Sequence, residues 1–296
     1  MITTENLSFS YKDKCVLKNV SIEVPKGGIY GYLGKNGAGK STTIKILLGL
    51  LKAQSGAILY DGRQFTEKSL DRIGNLIESP SFYNHLTAYE NLKYLDILFH
   101  HGDDRISEVL SMVDLNSARN KKAKKFSSGM KQRLGIALAL FHAPDILILD
   151  EPLNGLDPEG VHDMRKLIVR LHHEGKTILL SSHILSEIEK VCTHIGILDA
   201  GQLIYQGPIR SLMSNINQRV TVETNNVSKA KSVCRENGFE VTNDSEDLLM
   251  VLIPNKNEYN RMINVLSSDR IEIFSIKSDE LDLESVFLTL TSHQTK

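Results

Sequence analysis

The chain has almost no excess of charge of either sign: 35 Lys and Arg stand against 36 Asp and Glu, a formal net charge of −1. A surface that binds a polyanion needs a basic excess, so nucleic acid is not an expected partner. Cysteine is scarce too. Cys15, Cys192 and Cys234 are isolated, odd in number and without metal-ligand spacing, which speaks against a disulfide framework and for reduced thiols in a cytosolic protein. No apolar run approaches the roughly 18 residues that cross a bilayer; even LGIALALF (Leu134 to Phe141) runs into His142, Pro144 and Asp145. The opening MITTENLSFSYKD is polar, with acidic residues early, unlike a secretory leader. Internal repeats and low-complexity tracts are missing as well. If the protein works at a membrane, another chain is expected to provide the passage.

What is present suffices for one large domain or a large and a small one: 296 residues, 41% of them hydrophobic. Residues 1 to about 30 alternate as short antiparallel strands do, and Ala57 to Tyr60 before Asp61-Gly62 reads as a further hairpin. The pattern turns helical from about Tyr89 to Leu115 and again from Ser128 to Phe141. Then DILILD, a helix from about Glu159 to Glu174, TILLSSH, a helix from about Ser186 and the hairpin IGILDAGQLIYQG alternate. Such alternation implies a mainly parallel sheet covered on both faces. After Gly207-Pro208 the order changes to strand (Arg219 to Glu223), helix (Ser228 to Asn237), strand, strand (Leu248 to Ile253), helix (Glu258 to Ser267) and strand (Ile271 to Ile276), with an amphipathic piece from Leu281. That order is compatible with a ferredoxin-like α+β unit. The expected domains are residues 1–210 and 211–296.

Gly34 to Thr42, GKNGAGKST, fits the phosphate-cradling pattern G-x-x-x-x-G-K-[ST]. Gly34, Gly37 and Gly39 let the backbone turn its amides inward toward phosphate oxygens, with Lys35, Asn36 and Ala38 completing the loop and Thr42 following it. Lys40 supplies a charge for the β and γ phosphates and Ser41 a magnesium ligand. GGIYGYL before the loop reads as a buried strand and TIKILLGLL after it as a helix, so the helix N-terminus points at the anion. A nucleoside triphosphate is the expected ligand.

Further motifs follow in an order that resembles the nucleotide-binding subunits of ATP-binding-cassette transporters, over residues 2 to about 210. DILILDEP (Asp145 to Pro152) ends an apolar strand in two carboxylates; the resemblance implies that Asp150 holds Mg2+ and that Glu151 polarises the attacking water. FSSGMKQR (Phe126 to Arg133) resembles the signature segment Leu-Ser-Gly-Gly-Gln: Ser127 and Gly129 match, while Phe126, Ser128 and Met130 depart. Ser127 and Gly129 would then contact the γ-phosphate held by a second subunit, and as pure structure Ser127 and Ser128 are helix N-caps. Asp157 in LNGLDPEG would reach across to the second copy's phosphate loop. His183 in SSH would contact the γ-phosphate and orient the water, and Tyr11 would stack on adenine. His100-His101 and His172-His173 read as solvated pairs.

One position departs from that family in an informative way. Where a glutamine is usual, IGNLIESPSFYNHLTAYENL (Ile73 to Leu92) carries Glu78, and this segment resembles the bacitracin-resistance and lantibiotic-immunity exporters. Glu78 would still offer magnesium an oxygen, while adding a charge and removing an amide donor. It would also be placed to pair with a Lys or Arg across a subunit boundary.

The resemblance implies an α/β P-loop NTPase cassette with a mainly parallel sheet, an antiparallel β subdomain and a helical subdomain. It further implies an ATPase with ATP and Mg2+ as cofactors, working as two head-to-tail copies with ATP between them. Bound to transmembrane permease subunits at the inner face of the cell membrane, it would power export of a peptide antibiotic or similar amphiphile. The runner-up is a cassette ATPase of DNA repair or of the ribosome, but such proteins usually carry coiled-coil insertions or two cassettes, and one phosphate loop is present here. A P-loop kinase or GTPase would lack FSSGMKQR and LNGLDP. Glu151 speaks against a non-catalytic regulatory module.

Overall fold

A computed structural model of the chain describes residues 1–78, 80–214, 218–242, 247–254, 256–279 and 282–292. The apolar pentapeptide Ile29–Leu33 forms a strand buried along its whole length, as strands covered on both faces are. It lies inside a sheet of order 202–208, 194–199, 29–33, 177–182, 146–149, 73–76. Every neighbouring pair is parallel except the terminal hairpin of 194–199 with 202–208. Parallel pairing brings the carboxyl ends of four strands to one edge, where the candidate loops begin: 34–39, 77–78, 150–151 and 183. Open parallel sheets bind their ligands at that edge.

A second, antiparallel sheet is built on Ile2–Tyr11, which pairs with Lys14–Val20, Glu23–Val24 and Ser55–Tyr60. Ser55–Tyr60 turns back onto Arg63–Gln64. Its inward residues Ile2, Leu7, Val20 and Val24 share one core with Tyr30, Tyr32, Ile44 and Leu47 from the phosphate-loop strand and helix.

The helical pattern expected from about Tyr89 to Leu115 is present as two helices, Ala88–Phe99 and Gly102–Met112. His100 at φ 54 and Gly102 at φ 82 make the break, because left-handed residues end a helix. The first helix starts on a reciprocal cap, Glu90 N–H to Thr87 Oγ1 and Thr87 N–H to Glu90 Oε2. The expected helix from about Ser186 is a short piece, Leu185–Glu189.

The helix Ser128–Leu140 lies hard against the segment that carries Glu78. A Cβ on Gly135 would sit 2.7 Å from Leu76 Cδ1 and 2.8 Å from Pro80 Cβ, so the close approach requires glycine. Leu76 and Pro80, one on either side of Glu78 in the chain, are the residues this helix meets there.

The chain divides into two compact units, Met1–Pro208 and Ile209–Lys296. The second contains strand 218–224, helix 227–236, strands 240–241 and 249–253, helix 256–268, strand 273–279 and helix 283–292. Its antiparallel sheet runs in the order 240–241, 249–253, 218–224, 273–279. Val220, Val222, Leu249 and Val251 pack there with Ala230, Val233, Met262 and Leu266 from two of the helices. The strand expected at Ile271 to Ile276 is displaced to Ile273–Asp279, and Leu281, where the last amphipathic piece was expected to start, lies outside the described residues.

Replacing Gly135 by leucine is expected to cost about 1–3 kcal/mol through overpacking, read as a lower urea midpoint by circular dichroism. Gly129→Ala on the same helix, where an added Cβ meets nothing within 4 Å, is expected to be neutral or slightly stabilising.

Candidate active site

The phosphate loop starts where strand Ile29–Leu33 leaves the sheet and ends at helix Lys40–Leu47. Lys35, Asn36 and Gly37 face solvent, whereas Gly34, Ala38 and Gly39 are buried, and Ala38 N–H donates to Lys35 O at 3.1 Å. Gly39 caps the helix at φ 114, and a Cβ there would lie 2.6 Å from Leu17 Cδ2. Conformation and space both demand glycine at that point. The first helical turn holds no acidic residue, which leaves its amide end uncompensated for an anion. Thr43 Oγ1 donates to Gly39 O at 3.0 Å and lies 3.1 Å from Tyr32 Oη; burial raises the Tyr32 pKa far above its usual range, so this phenol stays neutral. Ser41 and Thr42 are half-buried in the first turn.

Lys40 is 6% exposed. Its ammonium donates to Gly34 O at 2.6 Å and Lys35 O at 3.4 Å, and lies 3.6 Å from Glu151 Oε1. The lysine thus lies along the inside of the loop with a carboxylate facing it.

That carboxylate follows the buried strand Ile146–Leu149. The next strand, Thr177–Ser182, runs parallel to it with Leu149 opposite Leu180, so Ser181 comes beside Asp150. Ser181 Oγ donates to Asp150 Oδ1 at 2.5 Å and accepts the Glu151 N–H at 2.9 Å. Asp150 is 2% exposed. Glu151 has φ 50, a left-handed conformation that costs a non-glycine residue energy and is retained where its surroundings determine it. The reversal brings Glu151 Oε2 to 2.8 Å from His183 Nδ1; the acceptor being a carboxylate oxygen, the Nδ1–H donates. Ser181 was passed over in the sequence except as part of SSH. Its signal was only a small hydroxyl next to the histidine, and its partners depend on the register of two strands.

Glu78 follows strand Ile73–Leu76 at φ 56. Although its side chain is 66% exposed, its Oε1 accepts from Lys45 Nζ at 2.7 Å. This hydrogen bond is the main cause that raises the Lys45 pKa, with Tyr11 and Asp150 adding to it electrostatically. The same bond lowers the Glu78 pKa, so the ion pair persists above the ordinary carboxylate range and is lost as pH falls through the lowered value. Within one chain the cationic partner of Glu78 is thus Lys45. Tyr11 is 47% exposed and meets Phe9 edge to face at 4.8 Å.

The remaining candidates lie elsewhere. Ser127 caps helix Ser128–Leu140 by accepting from Met130 N at 3.3 Å, and Gly129 faces open space. Asp157 caps helix Pro158–His173 through Gly160 N at 2.9 Å. Each bonds within its own turn, outside the cluster of Lys40, Asp150, Glu151, Ser181 and His183. Of the four histidines expected to be solvated, His100, His101 and His173 are exposed, while His172 is half-buried.

The donors near the loop are hard oxygens, the Ser41 hydroxyl and the Asp150 carboxylate, with Glu78 close by. Among the described residues no three His, Cys, Asp or Glu side chains gather as a metal set. Magnesium suits such a place, because it is usually held by one or two carboxylates plus substrate phosphates and water rather than by an all-protein cage.

The ABC transporter family model matches residues 17–154. The chain is 44% identical over 206 residues to the lantibiotic transport ATP-binding protein SrtF of Streptococcus pyogenes, covering 70% of this chain and 90% of that protein. It is 40% identical over 297 residues to the bacitracin transport ATP-binding protein BcrA of Bacillus licheniformis, covering 98% of this chain and 97% of that one. Among solved structures, cbiO1 from Clostridium perfringens, part of the ABC transporter complex cbiONQ, superposes with a TM-score of 0.67 at 29% identity, covering 72% of this chain and 90% of that chain. A dimeric post-hydrolysis ATP-binding cassette bound to ADP and Pi gives 0.63 at 26% identity, covering 71% and 99%.

Ser181→Ala is expected to leave the buried Asp150 carboxylate without its hydroxyl donor, at a cost of about 1–3 kcal/mol. The urea midpoint measures it, and Ser181→Thr, which keeps the hydroxyl, should recover most of the loss.

Proposed function

The chain belongs to the ATP-binding proteins of ABC transporters and is the ATPase subunit that powers one; from that premise we propose that it exports a peptide antibiotic, a lantibiotic or a similar amphiphile. The names of two relatives support the cargo, one of them aligned over 98% of this chain. Glu151 carries the catalytic reading, because its side chain meets His183 and Lys40 while its amide is held by Ser181.

In this reading ATP lies along Gly34 to Thr42, with adenine against Tyr11. Lys40 exchanges its carbonyl partners for phosphate oxygens, a stronger, charge-assisted contact. Ser41, Asp150 and Glu78 are the residues that would hold Mg2+, and the ion when bound neutralises charge on the phosphates. Glu151 accepts a proton from the attacking water. His183, through its Nδ1–H, holds the carboxylate in orientation and contacts the γ-phosphate. Ser127, Gly129 and Asp157 bond only within their own turns, which leaves two helix N-termini available to nucleotide held by a second copy. Two copies packed head to tail complete both sites at once, and a related cassette is dimeric with ADP and Pi.

We assign this chemistry to residues 1–210 and an accessory role to 211–296. A permease is needed for passage: among the described residues no helix is long and apolar enough to cross a membrane. The subunit would sit on the permease at the inner membrane face. Support comes from a groove of about 550 Å³ lined by Ser81, Phe82, Tyr83, Tyr94 and Leu95, an apolar surface suited to a permease segment.

Glu151→Gln is expected to bind ATP normally, to hydrolyse it at least about 10²-fold more slowly, and to elute as an ATP-dependent dimer. Unchanged turnover would remove Glu151 from this role. With the permease, the wild-type subunit should raise cellular tolerance to bacitracin or a lantibiotic, and Glu151→Gln should not; wild type without effect on either removes the cargo assignment.

Glu78 is expected to couple nucleotide to permease. In the reconstituted complex Glu78→Gln keeps an oxygen and part of the transport-coupled turnover, whereas Glu78→Ala binds ATP but loses most of it. Export and turnover at wild-type level in Glu78→Ala would leave only a surface ion pair.

A further inference from the structure

Arg133, the last residue of FSSGMKQR, has no part in the ATP chemistry described so far. It lies in helix Ser128–Leu140 and is only 15% exposed. One side of its guanidinium donates to Asp163 Oδ2 at 2.8 Å, in helix Pro158–His173. The other donates to Asp114 Oδ2 at 3.1 Å and to Val113 O at 3.3 Å, just past helix Gly102–Met112. Asp114 in turn accepts from Arg170 at 3.2 Å, and Arg170 also donates to Met112 O. The bonds thus run Asp163, Arg133, Asp114, Arg170, and the helix that Arg170 shares with Asp163 joins the two ends.

The placement of this ring is the informative part. Arg133 and Asp163 stand at the same offset from the caps of their helices, Ser127 and Asp157. At 1.5 Å rise per residue the bridge crosses about 9 Å behind both helix starts. Those starts are the two elements that face a second copy's nucleotide. An exposed ion pair adds little stability, but a planar guanidinium shared between carboxylates fixes direction as well as distance. We propose that Arg133, with Asp163, is a positioning pair that holds the Ser127–Gly129 and Asp157 starts in register, so that both engage the second copy's nucleotide together. The proposal rests on the head-to-tail reading above.

The test uses the full chain carrying Glu151→Gln, with three readouts: melting midpoint, ATP affinity at protein concentrations where it is monomeric, and the ATP concentration for half-maximal dimer by sedimentation. Added Arg133→Met, or the milder Asp163→Asn, should leave monomer affinity within about twofold and raise the dimerisation midpoint about tenfold, a usual size for a coupling between contacting residues. The double variant should be no worse than Arg133→Met alone, and Arg133→Lys should fall between. Variants that dimerise like their Glu151→Gln parent overturn the role of Arg133, as does an equal loss of monomer ATP affinity, which would mark a general structural effect. A parent that does not dimerise with ATP overturns the head-to-tail reading itself, and is told apart because it fails before Arg133 is changed.

Discussion

One serine hydroxyl sets the geometry on which the site depends. Ser181 donates to the buried Asp150 and accepts from the amide of Glu151, so a single atom fixes the angle between two acidic residues. Without that acceptor, the left-handed turn at Glu151 would have less to hold it. The bond exists because two parallel strands are in register, Leu149 opposite Leu180. Displacing that register by one residue would turn Ser181 to the other face. The arrangement of Asp150, Glu151 and Ser181 is thus a consequence of sheet pairing.

The same reasoning extends outward from the sheet edge. Strand Ile73–Leu76 delivers Glu78, and Gly135 allows helix Ser128–Leu140 to press onto the residues flanking it. A side chain at Gly135 would hold the helix away from Leu76 and Pro80, which stand on either side of Glu78 in the chain. Packed interiors respond to such a change by shifting whole elements, since they have little void to absorb it. The residues on either side of Glu78 and the helix that carries Ser127 and Gly129 are therefore joined by direct steric contact at Gly135.

Much of this was legible in the chain because it is local. The phosphate loop is contiguous, its glycines are required by backbone conformation, and the strand and helix around it follow from hydrophobic pattern. The carboxylates, His183 and the two helix caps were visible as types of residue in a family order. Three features were not. Ser181 needed strand register, and the break at His100 needed a left-handed residue that no periodicity reveals. Lys45 carried no sequence signal of its own, because its partner lies 33 residues away. What escaped the sequence is what pairs across elements, where the signal resides in a distance.

Lys45 also bears on how a glutamate would be tolerated beside the proposed triphosphate site. A bare carboxylate there would repel the phosphates and compete with them for the metal. Lys45 lies one helical turn after Ser41, on the same face of the helix, and meets Glu78 at 2.7 Å. Its charge is reinforced by that contact and by Asp150, so the pair enters the site as a neutral unit with an oxygen still present. In place of an amide, which accepts and donates with fixed capacity, the chain has an acceptor whose net charge depends on whether the lysine stays. Under the proposed function, an arriving anion and its cation would meet Lys45 and Glu78 as one paired unit, and the balance between them would be set at Glu78.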